Sequence, residues 1–266
     1  MSTQYVGVDW SSGEWVSIAY TDGSETPSVA VFEEITGVWD HYGDSARRIV
    51  VDVPIGLCDS LESEACSCVE EDGALSRRCD DLARTVIGSQ YRSVFTAPAR
   101  EAATVAAAGA DHSDISDKNE ELTGKRLTQQ AAGIAEGIVE VDNLLQGDGD
   151  PEVLVEGHPE VCFRTLNGTP LEHSKHTAAG VAERLAVLRT VDEYTRGDWH
   201  TVARELGSEG YRVGLDDVLD AFILALTACA PKGQFHRLPS DPPHDAEGLP
   251  MQMVYRSGNE LNPELL

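Results

Sequence analysis

Tyr5-Val6-Gly7-Val8-Asp9 is an apolar run that stops on a carboxylate, and the arrangement recurs: Asp52 follows Ile49-Val50-Val51 and Glu156 follows Val153-Leu154-Val155. A buried strand has little physical reason to end in an unpaired charge, because desolvating it is costly. Further along, Asp216-Asp217-Val218-Leu219-Asp220-Ala221 sets Asp217 and Asp220 three positions apart, on one face of a helix. Strand ends and an acidic helix that converge would repel one another. Divalent cations relieve such repulsion, and an all-oxygen ligand set suits Mg2+ or Mn2+.

Around the first run, Val6/Val8, Val16/Ile18/Tyr20 and Val29/Val31 recur at period two, with Ser11-Ser12-Gly13 and Asp22-Gly23-Ser24 as reversals, which predicts a β-meander. A short helix over 38–46 leads into a strand over 48–53 that is apolar on successive residues, as expected where both faces are covered. Asp52 then falls inside a β-rich run rather than in the turn beyond it. Two such acids on adjacent strands lie about 5 Å apart, close enough to share an ion.

From residue 58 to about 148 the pattern is helical. Pro98 opens a helix over 99–108, 111–117 is a polar loop, and Leu127, Ala131, Ile134, Ile138, Val141 and Leu145 mark one long amphipathic helix. This stretch reads as an insertion between two central strands of one α/β domain spanning 1–255, followed by a tail over 256–266. Beyond the strand at 152–156, helices are expected with Val181, Leu185 and Leu188 on one face, with Asp198 as an N-cap, and with Asp216 as the N-cap of the acidic helix. An edge strand is expected over 249–255.

The chain has 266 residues and a formal net charge of -26, with Asp and Glu numbering 46 against 20 Lys and Arg. Lysine is confined to Lys118, Lys125, Lys175 and Lys232. Uniform acidity of this kind fits a halophilic protein in a salt-rich cytoplasm, where hydrated carboxylates keep the surface soluble. By default such a charge would argue against a nucleic-acid partner, but as an adaptation to salt it says more about solvent than about substrate. An apolar leader or membrane span is not evident, so a cytoplasmic protein with reduced thiols is expected. Cys58, Cys66, Cys68 and Cys79 cluster, yet their spacing does not match paired zinc knuckles.

Two further groups carry chemistry. Glu156-Gly157-His158-Pro159-Glu160 combines acids with a histidine that titrates near neutrality, so acid/base or substrate-binding work is open to it, as are a loop hydrogen bond for His158 and a capping role for Glu160. Arg77, Arg78 and Arg84 form the densest basic cluster, suited to phosphate or to ion pairing with Asp80 and Asp81. Arg92-Ser93-Val94-Phe95 and Lys175 are additional candidates for phosphate contact. Asp9 and Asp216 also have ordinary uses, in a turn and as a helix cap.

Together, Val6-Gly7-Val8-Asp9, Val51-Asp52-Val53-Pro54-Ile55-Gly56-Leu57, Arg78-Cys79-Asp80 with Ala83-Arg84, Ser93-Val94-Phe95-Thr96-Ala97-Pro98, Glu156-Gly157-His158-Pro159-Glu160, Leu166-Asn167-Gly168 and Asp216-Asp217-Val218-Leu219-Asp220-Ala221 resemble domain of unknown function family 429. Members of that family are described as predicted RNase H-like nucleases. The resemblance implies a mixed five-stranded sheet of order 3-2-1-4-5, helices on both faces and a helical insertion after strand 4. It also implies that Asp9, Asp52, Asp217 and Asp220 match the acids of RNase H-like enzymes and of RuvC-type resolvases.

The leading expectation is a metal-dependent nuclease that hydrolyses phosphodiester bonds by a two-metal carboxylate mechanism. Asp9, Asp52, Asp217 and Asp220 would hold Mg2+ or Mn2+, Glu156 would join the catalytic set, and Arg84, Lys175 and His158 would contact a nucleic-acid substrate. Two alternatives stand beside it. One is a nucleotide-binding phosphotransferase in which Gly7-Val8-Asp9-Trp10-Ser11-Ser12-Gly13 cradles phosphate; the other is a noncatalytic binding protein on the same fold.

Overall fold

The three period-two runs at the amino end form β1 (Gln4–Ser11), β2 (Glu14–Thr21) and β3 (Ser28–Phe32), an antiparallel meander. A computed structural model describes residues 2–11, 13–63, 65 and 67–263. After α1 (Ile35–Tyr42), β4 (Ala46–Val51) returns parallel to β1. The insertion then contributes a hairpin of β5 (Val69–Glu71) and β6 (Ala74–Ser76), followed by α2 (Arg78–Ile87), α3 (Arg100–Ala107), α4 (His112–Thr123), α5 (Gln129–Gly133) and α6 (Ala135–Gln146). Next, β7 (Leu154–Glu156) adds to the sheet parallel to β4, giving the five-stranded order β3-β2-β1-β4-β7. The chain continues through α7 (Pro159–Asn167), α8 (Ala178–Leu188), α9 (Asp198–Glu209) and α10 (Leu215–Ala228) to β8 (Phe235–Leu238) and β9 (Met253–Arg256).

Both faces of the sheet are covered, which is why β4 is apolar on successive residues. On one face Val16, Ile18, Val50 and Val155 pack under α10 with α7, α8 and α9. On the other, Val6, Val8, Ile49 and Val51 pack against Ile35 and Val38 of α1 and Ile138 and Val141 of α6. Helix α10 lies on β1 so closely that a β-carbon at Gly7 would overlap the backbone of Ala221, Leu224 and Ala225.

Several local expectations are corrected. The first helix ends at Tyr42, before the expected 46, because Ala46 already pairs with Gln4 in the sheet. The strand stops at Val51, so Asp52 is the first residue beyond it, although its amide still donates to Val8 O at 3.0 Å. Residues 112–123 form α4 rather than a loop: Ile115 and Asn119 are buried, and Asn119 Oδ1 accepts the Ala99 amide while its Nδ2 donates to Lys125 O. The single long helix is two, α5 and α6, broken at Ile134. Gly197 and Gly214, not Asp198 and Asp216, occupy the N-cap positions. Finally, β9 pairs with β8 in a separate ladder and, among the described residues, is joined to the end of β7 by an isolated bridge from Val254 to Gly157.

Candidate functional site

Register decides which strand-end acids meet. Val8 and Val51 are paired, so Asp9 and Asp52, the next residues, stand side by side at the C-terminal ends of parallel neighbours on the α10 face. Glu156, by contrast, is paired with Val51 itself. A one-residue offset reverses the face of a strand. The expectation that three strand-end acids converge is therefore corrected to two.

Helix α10 supplies the other two acids. Gly7 lets the helix backbone settle onto β1, which brings the helix N-terminus to the end of the strand where Asp9 sits. Asp217 Oδ2 accepts the Gly214 amide at 3.2 Å and the Ser11 hydroxyl, which fixes the helix start to the β1 turn. Asp220 is 1 % exposed; its Oδ2 takes Lys175 Nζ at 2.6 Å, while its Oδ1 has no hydrogen-bond partner among the described residues. Lys175 is held in place by Thr177, which caps α8 and hydrogen-bonds Ser174 O, and by Gly180, whose missing side chain admits the Ser174 backbone.

The four aspartates and Lys175 line a cleft of about 620 Å3 that also takes in Trp10, Ser93, Phe95, His158, Glu160 and Arg184. Burial raises the Asp9 pKa well above the carboxylate range, and Asp52, Asp220 and Asp217 push it further. Asp9 and Asp52 share a hydrogen bond, which opposes the rise at Asp52. Burial lifts Asp52 and Asp220 to about 7 against the pull of Lys175. Glu160, for which the sequence leaves a capping role open, adds repulsion to both while ion-paired with buried Arg184.

Folded-state values above the unfolded ones mean that protons bind the fold preferentially. The stabilisation is complete below about pH 4 and is lost as pH rises through about 7. Without divalent ions, Tm is expected to fall by roughly 5–10 °C between pH 5 and pH 8, and Asp52→Asn should flatten that slope. A wild-type slope equal to that of Asp52→Asn would contradict the assignment.

Glu156 has a different partner. Its two oxygens take Arg77 Nη2 at 2.7 Å and Nη1 at 2.8 Å, and Oε2 also accepts the Ile55 amide at 2.7 Å. Arg77, 2 % exposed, reaches Asp80 as well at 2.5 Å. Cys79, Asp80 and Glu156 place ligand atoms within 4.8 Å of one another, a group that could hold a metal ion. Arg77 already supplies that group's positive charge, and burial keeps the Cys79 thiol protonated. Arg77→Met is expected to cost about 3–5 kcal/mol in denaturant unfolding, since it strands two buried carboxylates; a cost below about 1 kcal/mol would mean that the pair is not buried in solution.

Among the expected substrate contacts, Lys175 and His158 line the cleft, whereas Arg84 is turned to Asp81 at 2.7 Å and Val94 O at 3.0 Å. His158 Nε2 lies 3.2 Å from Ser93 O. A carbonyl only accepts, so Nε2 donates to it, and Nδ1 is buried without a partner among the described residues. The expectation of reduced thiols is corrected for one pair, while Cys79, Cys162 and Cys229 are free. Cys58 and Cys68 form a disulfide with Cα atoms 5.9 Å apart, a spacing ordinary for such bonds. Zinc held jointly by Cys58, Cys66, Cys68 and Cys79 is thereby ruled out in this state, and Cys66 lies outside the described residues.

A family model described as "Protein of unknown function (DUF429)" matches residues 7–244, which include each of the four aspartates. The chain belongs to this family. No curated protein and no solved structure matches it. Within this DUF429 protein, no helix among the described residues is long and apolar enough to cross a membrane. Trp10, Gln90 and Gln130 also line the cleft, and the sequence marks none of them beyond the place of Trp10 in the β1 turn. Nothing in their local pattern distinguishes them from ordinary surface residues. Ser11, expected in one alternative to cradle phosphate, instead donates to Asp217, and Ser12 lies outside the described residues.

Proposed function

We propose that this protein is a metal-dependent nuclease of RNase H-like type that hydrolyses phosphodiester bonds. The observation that carries the reading is the convergence of Asp9, Asp52, Asp217 and Asp220, from two strands and a helix remote in sequence, on one cleft. The sheet order supports the RNase H-like relationship. The donor set also suits divalent ions: it is all carboxylate oxygen, Asp220 Oδ1 is a buried acceptor without a donor, and one lysine opposes several acids. Bound there, Mg2+ or Mn2+ would supply Lewis-acid activation of water and neutralise charge at the leaving oxygen.

The chain's own groups set the conditions for that chemistry. Asp9 and Asp52 are held side by side by strand register, and Asp217 is oriented by the Gly214 amide and the Ser11 hydroxyl. Lys175 balances Asp220 and stands where a substrate phosphate would approach the acids. His158 lines the same cleft, its ring fixed through Nε2 to Ser93 O.

The test is hydrolysis of nucleic-acid substrates by purified protein at high salt, with Mn2+ or with a chelator. Turnover that appears with Mn2+ and vanishes with the chelator is expected. Calorimetric titration separates a noncatalytic protein: Asp52→Asn should weaken Mn2+ binding, and unchanged affinity would assign Asp52 a structural role only.

A further inference from the structure

We infer that the cleft takes one unpaired nucleotide of a single-stranded nucleic acid, with its base against Trp10 and Phe95. This deepens the nuclease reading and relies on it for the chemistry, but not for the binding. A volume of about 620 Å3 is the size of a site for one small-molecule unit. A duplex instead needs a long surface of phosphate contacts.

Charge argues the same way. Six carboxylates line the cleft (Asp9, Asp52, Glu160, Glu172, Asp217 and Asp220), against Arg92, Lys175 and Arg184. Lys175 is engaged by Asp220 and Arg184 by Glu160, which leaves Arg92 as the lining Arg or Lys not ion-paired to one of these acids. Duplex affinity rests on several phosphates neutralised by Lys and Arg and falls steeply with salt. Stacking on aromatic rings needs no such charge. In a chain of net charge -26, the affinity for nucleic acid has to come mainly from bases.

The wall is built for that contact. Trp10 follows Asp9 directly and so sits on the opposite side of the strand end. Gly137 of α6 lets its ring lie against the helix, since a β-carbon there would come within 3.0 Å of the indole. Trp15 meets Trp10 edge-on, with ring centroids 6.4 Å apart, and is itself anchored through Nε1 to Glu140 at 2.8 Å. The indole is thus packed against both α6 and Trp15. Trp10 Nε1 and Ser93 Oγ are buried polar atoms without partners among the described residues, and both residues line the cleft. The ring nitrogens and carbonyls of a base are the acceptors that such donors lack.

The experiment is fluorescence anisotropy with wild-type protein, Mg2+ and about 1 M salt, where long-range charge is screened. It compares a labelled 12-nucleotide single strand, the same strand in a duplex, and an abasic strand of equal length. The single strand is expected to bind at least ten-fold more tightly than either of the others. Trp10→Leu should weaken it by roughly 5- to 100-fold, the range for loss of one stacked base, with Phe95→Leu as a second variant should the first fold poorly. Equal affinity for the abasic strand or the duplex, or no binding of the single strand, overturns the inference. Binding without hydrolysis would instead sink the nuclease reading and leave this one standing.

Discussion

Asp9→Asn is expected to lower metal-dependent phosphodiester hydrolysis by about 10^3-fold or more, equivalent to about 4 kcal/mol of transition-state stabilisation, and to raise the Tm of the metal-free protein. Asp9 is 6 % exposed, and burial together with Asp52, Asp220 and Asp217 raises its pKa well above the ordinary value. Asparagine keeps the shape and one hydrogen bond to Asp52 but cannot ionise. Asparagine spares the fold the cost of protonating a buried acid, so Tm should rise by a few degrees. The loss of activity would have the opposite origin, because the aspartates that would hold a divalent ion lose a charged ligand. The two readouts move in opposite directions, which separates a catalytic defect from unfolding. Full activity in Asp9→Asn, or a lower Tm, would remove the basis for the proposed chemistry.

Gly7→Ala should carry the largest penalty of any single methyl in the chain's central strand, roughly 4 kcal/mol or more, a fall of about 10–15 °C in Tm. The added carbon would fall within 2.7 Å of the Leu224 carbonyl carbon and closer still to Ala221 and Ala225 backbone atoms. Backbone cannot step aside as a flexible side chain can, so α10 must lift from β1. Because that helix carries Asp217 and Asp220, Mn2+ affinity should drop even in the fraction that folds. Gly207→Ala, in the exposed part of α9 with nothing within 4 Å, is the contrasting substitution. It should stabilise by about 0.5–1 kcal/mol through helix propensity alone. Equal Tm values for the two variants would mean that the close approach of α10 to β1 does not exist in solution.

Much of the architecture is legible in the residues themselves. Period-two runs separated by Gly-containing turns define β1, β2 and β3, and the doubly covered β4 is apparent from its unbroken apolar run. The Asp217/Asp220 pair on one helix face follows from a spacing of three. The polarity of Asp111 to Asp117 suggests a loop, yet tertiary burial of Ile115 and Asn119 draws that stretch into α4. The Cys58–Cys68 bond is equally hidden, since nothing local says that a loop will fold back on itself.

Local patterning therefore determined the elements and where each acid falls within them: Asp9 and Asp52 just past strand interiors, Asp217 and Asp220 on one helical stripe. Only the tertiary structure decided the grouping. The pairing of Glu156 with Val51, instead of with Asp52, turns its carboxylate to the other face and gives it to Arg77. Strand register is a property of two segments in contact, with a period of two residues, so a slip of one position reverses every side chain and leaves no trace in either segment's own sequence.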